Sequence, residues 1–95
     1  MQLEIAVRAS RDLLEIHSVG IDHYGGARAD AYLGELFGKF DHLAQWPYSA
    51  RERFATHSAV RLSRHRAHNI LCAVEGQTVI ILRLFHHSIN WIDLL

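Results

Sequence analysis

Two apolar runs separated by a short polar break constrain this chain more than any other feature. Ile70 to Val74 is unbroken, and Val79 to Leu82 is continued by Leu84 and Phe85 after a single Arg83. Between the runs lies Glu75-Gly76-Gln77, which suits a tight reversal. A strand that is apolar on both faces must be covered on both, so such a strand is central in its sheet. The pattern predicts strands over 69–75 and 78–85, with another over 57–64, where Ala59 and Arg61 alternate with Val60 and Leu62.

The first half reads differently. Gln2 to Val7 alternates, with Leu3, Ile5 and Val7 on one side, and predicts a first strand over 2–7. Ser10 or Asp12 is a candidate cap for a following helix, whose Leu13, Ile16, His17, Gly20, Ile21 and Tyr24 recur near the helical period. Gly25-Gly26 stops it, and a second helix from about Ala27 carries Ala29, Leu33, Leu36, Phe37, Phe40 and Leu43 as an apolar stripe. So short a loop makes the helices an antiparallel hairpin. Trp46-Pro47 ends the second helix, and an arginine-rich segment to about residue 56 reads as irregular. Ser88 to Leu95 reads as a short helix or amphipathic tail.

The expected fold class is therefore α+β. An N-terminal strand and an antiparallel helical hairpin precede a three-stranded antiparallel sheet and a short C-terminal helix or tail, with the hairpin against one sheet face. At 95 residues this is a single domain spanning 1–95, and such a chain buries only roughly 60–65% of its unfolded surface. Hydrophobic residues at 49% and charged ones at 21% exclude a disordered chain. Cys72 is the only cysteine, which excludes an internal disulfide and a C-x-x-C metal or redox pattern and fits a reducing cytoplasm. No apolar run approaches the about 18 residues of a membrane span, so no membrane association is expected.

Charge is uneven although its sum is zero. Residues 1–50 hold four basic and seven acidic side chains, and residues 51–95 hold six basic and three acidic, a split of −3 against +3. Arg51, Arg53, Arg61, Arg64 and Arg66 fall close together, with His57, His65 and His68 nearby and only Glu52 opposing them. Such a stretch suits an acidic protein surface or a phosphate backbone, or simply keeps a hairpin solvated.

Read in order, the motifs resemble the RelE/ParE toxin superfamily, in its ParE or plasmid-stabilisation branch. The resemblance runs from Ala9-Ser10-Arg11-Asp12-Leu13-Leu14-Glu15-Ile16 through Tyr24-Gly25 and Ala31-Tyr32-Leu33 to Phe40, Leu43, Ala44 and Pro47. Its most telling part is Val79 to His87, a strand ending in Arg83, two apolar residues and His86. Ile89 and Asn90 stand where the family usually has Met and Asp. The resemblance implies a toxin of a type II toxin-antitoxin system, without cofactor. It would be bound by a ParD-like antitoxin in a heteromeric complex and would act on DNA gyrase.

The RelE branch implies an alternative, a ribosome-dependent mRNA endonuclease. Cleavage there needs a base, an acid and cations for the phosphate, for which Arg61, Arg83, His86 and His87 are the candidates. That branch typically uses several lysines or a Glu in the sheet and a tyrosine near the C-terminus. Here Lys39 is the only lysine and no tyrosine follows Tyr48, so no catalytic residue is expected. Eight histidines raise the question of a metal. His86-His87 and His65-x-x-His68 lack the Cys or carboxylate partners of a ligand set, so none is expected. His86 is better suited to fixing the chain by a backbone hydrogen bond as it leaves the sheet. The expected target-binding residues are Arg61, Arg64, Arg66, Arg83 and His86. Ile89, Trp91, Ile92, Leu94 and Leu95, with whichever sheet face the helices leave open, are the expected antitoxin-binding surface.

Overall fold

The computed structural model describes residues 1–55 and 58–91. Its elements are β1 (Gln2–Ile5), α1 (Val7–Tyr24), α2 (Gly26–Gln45), a 3-10 turn (Pro47–Ser49), β2 (Arg51–Ala55), β3 (Ser58–His65), β4 (His68–Glu75) and β5 (Thr78–His86). They build one five-stranded sheet in the order β1-β5-β4-β3-β2. The last four strands form an antiparallel meander, and β1 lies parallel to β5 at the edge. The doubly apolar runs thus become β4 and β5, both interior to the sheet, as their composition requires.

The α+β class and the helical hairpin follow the sequence, while three boundaries differ. β1 ends at Ile5, not Val7, because the Ala6 N–H bonds the Ile81 carbonyl at 2.9 Å and the chain then turns directly into α1. Ala6 occupies the N-cap and supplies no side-chain bond, so neither Ser10 nor Asp12 caps the helix. Residues 51–55 were expected to be irregular and are instead β2, paired to β3 with Arg51 opposite Leu62 and Arg53 opposite Val60. An edge strand has one side open to water, so it tolerates a charged Arg51-Glu52-Arg53 run without the apolar alternation that marks interior strands.

Both helices bury one stripe on the same sheet face. Ala9 and Leu13 of α1 and Leu36, Phe40 and Leu43 of α2 meet Ile70, Cys72, Val79, Ile81 and Leu84. From the expected α2 stripe, Ala29, Leu36, Phe40 and Leu43 are buried, Leu33 is half-buried and Phe37 is exposed. A smaller cluster, Val60, Leu71 and Phe85, occupies the other face, with Leu62, Leu82 and Trp91 packed on it. A β-bulge separates the two sets: Cys72 pairs with Ile81 but Leu71 pairs with Arg83, leaving Leu82 as an extra residue. Strict alternation from Val79 and Ile81 would turn Leu84 away from the helices. The bulge resets it inward and sends Phe85 to the other face.

The hairpin closes tightly at its loop end. Gly25 alone separates the helices, at φ 86°, where a side chain would be strained. Five residues earlier, a Cβ on Gly20 would lie 3.3 Å from the Ala29 Cβ, so the helices approach closely there. A His17–Asp30 contact at 2.7 Å crosses the same interface. Among the described residues, no helix is long and apolar enough to cross a membrane.

Gly34 and Gly38 lie inside α2 with nothing within 4 Å of an added Cβ. Gly34→Ala and Gly38→Ala are each expected to stabilise the chain by about 0.5–1 kcal/mol, read as a higher urea midpoint with an unchanged slope. A loss of stability would mean that the fold does not accommodate the added methyl.

Candidate functional site

A cleft of about 820 Å³ opens between the loop end of the helical hairpin and the end of the sheet where β3 turns into β4 and β5 departs. Ile16, Gly20, Ala29, Leu84, Phe85 and Ile89 give it an apolar interior, and Glu15, His23, Arg28, Arg66, His68 and His86 stand among its polar lining. Two polar constellations shape its walls.

The first joins α1 to β5. Arg83 donates from Nε to Asp12 Oδ2 at 2.8 Å and from Nη2 to Oδ1 at 3.3 Å. The same Oδ2 accepts the Leu84 backbone N–H at 2.9 Å. Both side chains are largely buried, at 17% exposure for Arg83 and 13% for Asp12. The bidentate carboxylate holds Arg83 still more firmly protonated than usual. At the bulge this ion pair also satisfies a backbone donor, so Asp12 serves tertiary structure at the position where the sequence offered a helix cap.

The second is a cluster of histidines under α2. β3 and β4 are joined by a two-residue turn, Arg66-Ala67, with Arg66 in the left-handed region at φ 51°. The ladder places His65 opposite His68, and His68 opposite His86. Tyr32 donates its hydroxyl proton to the His65 carbonyl at 3.1 Å. Its oxygen lies 2.7 Å from His68 Nδ1, which with that proton committed acts as donor. Glu35, three residues along α2, accepts from His65 Nε2 and Arg66 Nε, both at 2.8 Å. The His65 and Arg66 hydrogen bonds hold its carboxyl below the usual range.

Burial, then the neighbouring His86, His87 and His65, push His68 below its ordinary value, and burial raises the Tyr32 phenol. His86 Nδ1 accepts the Ser88 N–H at 3.2 Å and contacts Ser88 Oγ at 2.7 Å, so its proton sits on Nε2. This is the backbone anchor expected where the chain leaves the sheet. β5 ends at His86, so His86 and His87 are free of strand alternation. Their rings stack at 4.5 Å, and His87 N–H bonds the Ala67 carbonyl at 2.9 Å. Partial desolvation, then Arg64, lower His87.

The residues picked out from the sequence divide accordingly. Arg83, His86 and Arg66 line the cleft, and Ile89 joins them, 45% exposed. Arg64 is exposed and donates to the Arg66 carbonyl at 2.9 Å, while His87 flanks the cleft mouth beside His86. Arg61 is elsewhere. It donates to the Ala50 carbonyl at 3.0 Å, lies 4.6 Å over the Tyr48 ring and approaches Glu52 at 3.6 Å, pinning the 3-10 turn and β2 to the sheet. Trp91 does not line the cleft and packs on the Val60, Leu71 and Phe85 cluster. His57, Ile92, Leu94 and Leu95 lie outside the described residues.

Among the described residues, no three His, Cys, Asp or Glu side chains converge as a metal site would need. Cys72 is fully buried, its thiol pushed up to about 11, chiefly by burial, and is inert as a nucleophile. Tyr32 and Glu35 escaped the sequence reading as site residues. Their spacing of three on one helical face was legible, but their partners come from strands thirty or more residues away.

A family model described as "ParE toxin of type II toxin-antitoxin system, parDE" matches residues 3–91. The chain belongs to the ParE toxin family. Among solved structures, this ParE-family chain is similar to a chain of the "Chromosomal ParDE TA system from P. aeruginosa". The identity is 20% and the TM-score 0.79, over 90% of this chain and 95% of that one, a likeness that shows the fold. No curated protein matches the chain.

Asp12→Ala leaves Arg83 buried without its counter-charge and frees the Leu84 N–H, so a loss of about 3 kcal/mol is expected in urea unfolding. Asp12→Asn combined with Arg83→Met is expected to lose less than Asp12→Ala alone. The depressed His68 value has a signed consequence. An unfolded chain takes up the His68 proton near roughly pH 6.5, before the folded chain does. Stability is therefore complete above that pH and falls as pH drops below it, until folded His68 is itself protonated. His68→Gln should make the stability slope between about pH 6.5 and pH 5 shallower, and an unchanged slope would assign the effect elsewhere.

Proposed function

We propose that this chain is the toxin of a type II toxin-antitoxin pair, neutralised in the cytoplasm by a ParD-like antitoxin and acting on DNA gyrase by binding, without catalysis. The observation that carries the reading is the commitment of Arg83 to Asp12. A phosphate-cleaving centre needs free cations where charge develops, and the arginine at the end of β5 is spent inside the fold. Arg61, the other candidate, is engaged at the far side of the molecule by Ala50, Tyr48 and Glu52.

The cleft supports the antitoxin part of the proposal. Its apolar interior, rimmed by polar side chains of both signs, suits an amphipathic helix that presents apolar residues inward and polar ones at its edges. The resemblance of the Asp12-Leu13-Leu14 and Val79–His87 motifs to the ParE branch supports gyrase over the ribosome as target.

One observation favours the second reading, a ribosome-dependent mRNA endonuclease. His86 and His87 stack at the cleft mouth, where two neighbouring imidazoles offer an acid and a base. Expression of the chain alone, with pulse labelling of DNA and protein synthesis, separates the two. Under the gyrase reading, DNA synthesis falls first, messages stay intact, and co-expression of a ParD-like antitoxin restores growth. A first fall in translation with cleaved messages, abolished in a folded His86→Ala variant, overturns it. Val19→Glu introduces a charge at an exposed position in the cleft lining. It is expected to weaken antitoxin binding by at least about tenfold in calorimetry with the fold retained.

A further inference from the structure

The outer side of α1 carries a second apolar surface that the cleft does not use. Val7, Leu14 and Ile21 recur at intervals of seven residues along the helix and are 70%, 72% and 44% exposed. A seven-residue interval brings a side chain back to almost the same side of a helix, so the three form one stripe, turned away from the buried Ala9 and Leu13. None of them lines the cleft. Ser10, His17 and Tyr24 lie three residues on from each, so the stripe is one residue wide and supports a narrow helix-to-helix contact rather than a full coiled-coil seam.

The charges beside the stripe indicate what the other helix is. Arg8 and Arg11 lie N-terminal to Leu14, and Glu15 and Asp22 C-terminal to it; all four are exposed, and Glu15 also stands at the edge of the cleft. Among the described residues, none of the four enters an ion pair within the chain. Place a two-fold axis at Leu14 and run a second α1 antiparallel. Val7 of each copy then meets Ile21 of the other, and the two Leu14 side chains meet at the axis. In the same register Arg8 of each copy comes within reach of Asp22 of the other, and Arg11 within reach of Glu15. The two Glu15 carboxylates approach near the axis, where each is bracketed by an Arg11 from either helix. A parallel arrangement would instead set Arg8, Arg11 and Asp22 each against its own like charge. The surface is self-complementary only in the antiparallel sense, which is the condition for a closed two-fold dimer.

We infer that α1 is a self-association surface, through which two copies of this chain pair as an antiparallel helix dimer about Leu14. Three apolar side chains per copy make a contact smaller than the roughly 800 Å² per partner of a standard interface, so the dimer is weak and depends on concentration.

Sedimentation equilibrium of the full chain without antitoxin tests this. Over about 5 to 500 µM the average mass is expected to climb from that of one chain toward two. Leu14→Glu should lower the association constant at least about tenfold with an unchanged circular dichroism spectrum, and Arg11→Glu should weaken it less. Adding Glu15→Arg to Arg11→Glu exchanges the signs and should recover much of the loss, which a merely apolar collapse would not do. A chain that stays monomeric throughout, a dimer insensitive to Leu14→Glu, or a Leu14→Glu variant that loses antitoxin binding with no dimer to lose, each overturns the proposal.

Discussion

One carboxylate ties the helical hairpin to the sheet at the point where β5 is interrupted. Asp12 reaches from the second turn of α1 to both the guanidinium of Arg83 and the N–H of Leu84, 71 and 72 residues away in sequence. At that point β5 carries its bulge, the alternation of the sheet reverses and Leu84 is turned toward the helices. A bulge interrupts the ladder and increases local twist. Here a helix side chain supplies hydrogen bonds beside the interruption. The hairpin is thereby anchored over β5, and the cleft between hairpin and sheet end has a fixed wall.

That anchoring also shapes the chemistry. Arg83 sits where the resemblance places a residue of the toxin's working end, yet its donors face inward. Beyond it lie imidazoles and Tyr32, tied by short hydrogen bonds to α2 and to the chain's exit from the sheet. Groups held in this way define a shape and a set of donors and acceptors, which is what recognition of a protein partner requires. The arginine-rich stretch that stood out by composition proves to be several devices. Arg61 braces the 3-10 turn, Arg66 shapes a tight reversal and pairs with Glu35, and Arg64 remains at the surface.

The parts of the fold legible in advance were those with strong local signals. The doubly apolar runs at 70–74 and 79–85, the α2 stripe and Gly25 announced strands, helix and loop, because burial on two faces or one face imposes a period on the chain. β2 was not legible, since a charged edge strand is held by the ladder of its neighbour and needs no apolar pattern of its own. The α1 start misled for a related reason. Ser10 and Asp12 are good capping residues, but the ladder ended at Ala6 and left Asp12 free for a partner that exists only in three dimensions.

Of the candidate site, sequence alone supplied the residue types: Arg83, His86, His87 and Ile89 at the end of β5, together with the family motifs from Ala9 to Pro47. It also determined that the chain is an α+β domain in which two interior strands follow a helical hairpin, because periodic burial is written into successive residues. Only the tertiary structure decided which of those side chains are free to act. Whether an arginine meets a partner or a carboxylate depends on neighbours brought together from opposite ends of the chain, and those distances have no counterpart in local periodicity.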